Sequence, residues 1–103
     1  MHLEIDLKPV HLDIVLNLLR EHLKSADVWV FGSRIKGQNH PASDLDLVIR
    51  SRTNLEEPQA NLSNLREALR ESRLPFLVDL HDWARLPESF RREIEKSHIP
   101  LKY

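Results

Sequence analysis

Asp44 and Asp46 stand two residues apart at the opening of the run LDLVIR. In a strand, residues i and i+2 leave the same face. Both carboxylates therefore point one way, while Leu45 points the other way, into a core. Carboxylates held side by side repel each other unless a cation sits between them. Mg²⁺ suits such a pair, because it takes oxygen ligands and keeps positions for water and phosphate. Two such ions about 3.5–4 Å apart can activate an attacking oxygen and steady a leaving pyrophosphate. A site of that kind wants a third acid. Asp79 is the best candidate, since it stands alone in the apolar run FLVDL, where a charge is costly without a partner. Asp82 is the alternative, but it reads as lying past the strand end, capping or solvated.

Upstream of the acids, Val28–Phe31 is a short β-branched and aromatic run stopped by Gly32, the pattern of a buried strand. Gly32 leaves out a side chain where backbone has to approach a phosphate. Ser33 offers a hydroxyl and an N–H, and if it opens a helical turn, the N–H groups there favour an anion. Arg34 and Lys36 add positive charge within reach of a triphosphate. Gln38–Ser43, rich in turn formers, reads as a loop. Strand, phosphate-sized turn, loop and acid-bearing strand together are parts for holding a nucleoside triphosphate and its metals.

The remaining elements must position this unit. Pro9 suits a first helical turn, and Leu12, Val15, Leu16, Leu19 and Leu23 recur at helical spacing, which predicts a helix from Pro9 to Lys24. A second helix is expected from Pro58 to about Arg73, with Leu62, Leu65 and Leu69 inward and Glu67, Glu71, Arg66 and Arg70 on the solvent side. A third strand is expected over Phe76–Leu80. A last helix from Pro87 carries Phe90, Ile94 and His98 along one side, and Ile99–Tyr103 adds a short final strand. The expected fold class is α/β (α+β), a small mixed sheet flanked by helices. Trp29 is expected in the core rather than stacking on a base.

At 103 residues, the chain 1–103 reads as a single domain. A net charge of −1 lacks the basic excess of a general nucleic-acid binder, so no direct nucleic-acid binding is expected. The absence of cysteine excludes disulfides and thiolate metal sites. The N-terminus lacks a signal-peptide pattern, and no run approaches the roughly 20 apolar residues of a membrane span. A cytoplasmic protein with no membrane association is expected. His2, His11, His22, His40, His81 and His98 show no ligand spacing and read as surface or core residues rather than a zinc site.

Gly32-Ser33, ten further residues and then Asp44-Leu45-Asp46 resembles the signature of the DNA polymerase β-like nucleotidyltransferase superfamily. The fuller strings FGSRIKG and SDLDLVI, with FLVDLHDWARLPESFRREIEKSHIPLKY, are similar to the minimal nucleotidyltransferases of bacteria and archaea. The resemblance covers nearly the whole chain. It departs at Ile35-Lys36, where the family often has Ala-Arg, and in the absence of the added helical domain of larger relatives.

The resemblance implies a nucleotidyltransferase fold in which Asp44, Asp46 and Asp79 carry Mg²⁺, two ions being expected. It also implies that Gly32 and Ser33, with Arg34 and Lys36, hold ATP. The implied reaction is transfer of AMP to a protein hydroxyl. The implied acceptor is a HEPN-type helical ribonuclease toxin, modified in known cases at a tyrosine, with which the chain forms a hetero-oligomer as antitoxin. Two rival readings stand beside it: a non-catalytic antitoxin that covers its partner, and a nucleotidyltransferase acting on a small molecule.

Overall fold

The computed structural model describes residues 5–35, 44–60 and 62–103. In chain order the elements are α1 (Pro9–His22), β1 (Ala26–Phe31), a 3₁₀ turn (Gly32–Ile35), β2 (Leu45–Ser51), α2 (Leu62–Arg70), β3 (Val78–Asp82), a second 3₁₀ turn (Trp83–Arg85), α3 (Glu88–Lys96) and β4 (Ile99–Leu101). The strands form one mixed sheet in the order β3-β2-β1-β4. β1 is antiparallel to β2 and β4, and β2 is parallel to β3. The expected small mixed sheet with helices is the fold found.

Strand alternation divides the sheet into two unlike faces. One is mainly apolar: Ala26, Val28 and Val30 of β1, Leu45, Leu47 and Ile49 of β2 and Leu80 of β3 are all buried against Val15 and Leu19 of α1 and Leu62, Leu65 and Leu69 of α2, with Ser51 and Asp82 at its margin. On the other face Phe31 and Val48 form a smaller cluster with Trp83 of the second 3₁₀ turn and Ile94 of α3. Trp29 packs against that cluster, edge-on to Trp83 and stacked on His98, in keeping with its expected core role.

Several element boundaries differ from expectation, each for a local reason. α1 ends at His22, because Leu23 turns extended (φ −116°, ψ 139°) while its N–H still bonds the Leu19 carbonyl. Pro58 does not open α2, which begins at Leu62; beside it the Gln59 N–H is held by the Asp82 carboxylate at 2.9 Å. β3 runs Val78–Asp82 rather than Phe76–Leu80, because its parallel register with β2 begins at the pair Leu45–Val78. Phe76, left before the strand, instead packs its ring against His11 and the Arg34 guanidinium. Among the described residues, no helix is long and apolar enough to cross a membrane.

Candidate functional site

The sheet's register builds the site. Phe31 pairs with Asp46 across β1 and β2, and Asp46 pairs with Asp79 across β2 and β3. The three side chains thus lie in one row at the edge of the second face, where Phe31 packs against Phe90 of α3 and the two acids remain partly exposed. The next row on that face is Trp29, Val48 and His81. His81 lies behind the acids, its Nε2 at 3.3 Å from Asp79 Oδ2 and 3.9 Å from Asp46 Oδ1. Ligand atoms of Asp46, Asp79 and His81 all fall within 4.8 Å of one another. Phe31 and Phe90 pack around the imidazole, with ring centres 5.3 and 5.8 Å away.

Proximity of two carboxylates has an electrostatic consequence. The Asp46 carboxylate, with Asp79 beside it, holds the His81 imidazole above its usual pKa of 6.5, against burial, which pulls the other way. An imidazolium here supplies part of the positive charge that the acid pair demands.

The turn before the acids is shaped to meet them. Gly32 has φ +83°, a region that side chains disfavour and glycine enters freely. A Cβ built on Gly32 would stand 2.5 Å from Asp46 Oδ2. Backbone and carboxylate thus approach as closely as the missing side chain permits. Ser33 is exposed at the top of the 3₁₀ turn, and Ile35 anchors that turn in the core.

The sequence-derived candidates are distributed unevenly. Asp46 and Asp79 come together with Gly32 and Ser33 close by. Asp44 precedes β2, is exposed, and lines a groove that Asp79 shares, outside the closest acid–histidine group. Arg34, expected to face a triphosphate, is only 5% exposed. Its guanidinium lies over Phe76 at 4.4 Å and donates to the Asp6 carbonyl at 3.1 Å, so it braces the turn from within. Lys36 and His40 lie outside the described residues. Asp82, the alternative third acid, ends β3. Its carboxylate accepts from the Ala84 and Gln59 N–H groups and lies 3.5 Å from Arg85, which makes it a cap. Asp79 is not alone in an apolar strand, since β3 reads VDLHD and places His81 on its own face. His81 is the residue that sequence reasoning left aside; its signal was the i, i+2 spacing from Asp79.

Two carboxylates one strand apart are hard oxygen donors that fit a cation such as Mg²⁺. His81 places one ring nitrogen beside them. The sequence model of the family described as polymerase beta, nucleotidyltransferase matches residues 14–102. MntA of Haemophilus influenzae, a probable protein adenylyltransferase, is 43% identical over 101 residues, covering 96% of this chain and 85% of the relative. Among solved structures, a toxin–antitoxin crystal structure with AMP-PNP aligns with TM-score 0.71 at 22% identity, over 88% of this chain and 72% of that one. The MntA–HepT toxin–antitoxin structure aligns with TM-score 0.65 at 17% identity, over 92% and 72% of the two chains. At those identities the structures speak to the fold, and the fold is the same. By family model and by its relative, the chain belongs to the polymerase β nucleotidyltransferase family.

Proposed function

We propose that this chain transfers AMP from ATP to a hydroxyl of a protein partner, and that the partner is a HEPN-type toxin for which the chain serves as antitoxin. The observation that carries the reading is Asp46 and Asp79 facing one another on adjacent strands, with the Gly32 turn pressed against Asp46. The adenylyltransferase name of the 43% identical relative supports the reaction.

Asp46 and Asp79, with Asp44 at the groove, would hold Mg²⁺, in two ions on this reading. When bound, Mg²⁺ neutralises phosphate charge and lowers the pKa of a coordinated oxygen. Gly32 lets the backbone come close to the phosphates, and Ser33 presents its hydroxyl and N–H to them. Arg34 keeps the turn in place through Phe76 and Asp6, and Lys36 adds charge to the triphosphate. The acceptor oxygen forms its bond to the α-phosphorus as the bond to the bridging β-phosphate oxygen breaks. Pyrophosphate departs, and the acceptor's proton passes to solvent.

ATP labelled at the α-phosphate, added with Mg²⁺ to extract of the source cells, tests this. The expected outcome is a labelled protein band that γ-labelled ATP does not produce. Asp46→Asn, which removes charge at nearly constant volume, is expected to weaken the band at least about a hundredfold while leaving the melting curve in place. No labelled band despite measurable nucleotide binding would favour a covering antitoxin or a small-molecule acceptor.

A further inference from the structure

Asp44 and Asp79 line a groove of about 710 Å³ together with residues of α2 and of the segment leading into β3. Its lining carries both signs of charge. Asp44 and Asp79 come from the starts of β2 and β3, and Arg66 and Arg70, one helical turn apart, from α2. The lining also includes Leu74 and Leu77, and Leu77 is 68% exposed, unusual for a leucine beside a compact core. Among the described residues β3 is an edge strand of the sheet, so this flank presents backbone groups that no described strand takes up.

The two arginines are unequally committed. Arg70 pairs with Glu67 at 3.1 Å, but both side chains are more than half exposed, and such a pair is weak enough to be exchanged for another. Arg66 has no ion-pair partner among the described residues. Neither forms an ion pair with Asp44 or Asp79 among the described residues.

We propose that this groove seats the acceptor polypeptide, and that it prefers a segment whose hydroxyl is flanked by acidic residues. The inference rests on the protein-acceptor reading above and adds the acceptor's chemistry. A hydroxyl beside Asp44 and Asp79 meets the transfer site. Apolar side chains of the acceptor cover Leu74 and Leu77, and carboxylates reach Arg66 and Arg70. Charges of this kind chiefly steer and select partners, and they act through a screened field. A basic segment would meet like charge at Arg66 and Arg70, which disfavours it.

The test uses the full chain with Mg²⁺, α-labelled ATP and two synthetic peptides. Each peptide carries one tyrosine, flanked in one by aspartate and glutamate and in the other by lysine. The acidic peptide is expected to be labelled about five- to tenfold faster in kcat/KM, and the preference to fade near 0.5 M salt. Arg66→Glu/Arg70→Glu is expected to abolish or invert the preference while ATP affinity by calorimetry stays unchanged. Both arginines are exposed, and the milder Arg66→Ala/Arg70→Ala is expected to remove the preference without inverting it. An acidic preference that survives both double variants overturns the groove assignment while leaving protein AMP transfer intact. Loss of ATP affinity in the variants also overturns it, reassigning the arginines to the nucleotide. Labelling of neither peptide by the unsubstituted chain overturns the acceptor reading and this proposal together.

Discussion

The two faces of the sheet are made from the same strands and do opposite work. Leu47 and Val48 are neighbours in β2, both fully buried, yet they belong to different clusters. On the face of Leu47, two helices seal an apolar layer, with Asp82 at its margin held by backbone N–H groups. On the face of Val48, α3 covers the strands only in part. Beyond it lie the carboxylates of Asp46 and Asp79, and beside it Arg50 is inserted between aromatic rings. The Arg50 guanidinium lies 3.8 Å from the Trp29 ring and 4.5 Å from that of Trp83. Its Nε is buried without a hydrogen-bond partner among the described residues. One face supplies the stability that lets the other carry charge. A strand's period of two makes that division possible within a run of seven residues.

Leu47→Ala is the sharpest way to break the comparison on the stable side. Truncating a fully buried leucine costs about 2–5 kcal/mol, visible as a lower urea midpoint. The surviving folded fraction is expected to bind nucleotide as before, because no acid of the row touches that layer. A variant of unchanged stability would mean that the α1/α2 face is not the main source of it.

Gly32→Ala strikes the boundary between turn and acid. An alanine at φ +83° costs about 1–2 kcal/mol in backbone strain, a smaller loss than that of Leu47. Its effect on transfer is expected to exceed its effect on stability, because the new Cβ meets Asp46 Oδ2 at 2.5 Å and must push the carboxylate from its row. Urea melts and single-turnover transfer, measured on the same preparation, separate the two losses. Undiminished transfer would show that the close approach is incidental.

Much of this division is legible in the sequence. Alternation placed Leu45 opposite its flanking acids, and the helical spacing of Leu62, Leu65 and Leu69 placed α2 against the sheet. The strand–turn–strand order placed Gly32 near the acids. What escaped was whatever depends on contacts distant in sequence. Arg34 looked available to an anion because nothing nearby announces Asp6 and Phe76 as its partners. β3 was placed two residues early because FLVDL is the more apolar window, while pairing with β2 selects VDLHD. That shift is why His81 went unnoticed: only in the observed register does it share a face with both Asp46 and Asp79.

His81 offers the gentlest perturbation of the chemical face. In the unfolded chain its imidazole titrates near 6.5, and in the folded one the Asp46 and Asp79 carboxylates raise that value. The stabilisation from the imidazolium is therefore fully present below the unfolded pKa and lost as pH rises through the folded one. His81→Gln removes the titration while keeping a polar group of similar reach. In metal-free protein, with EDTA present, the stability gap between the two chains is expected to be widest near pH 5.5 and to narrow toward about pH 9. The gap is expected to stay under about 1 kcal/mol, since the acids it faces are partly solvated. Urea midpoints across that range decide the matter. A gap independent of pH would mean that His81 acts by packing against Phe31 and Phe90 alone, and that the acid row holds its charge without help from the rung behind it.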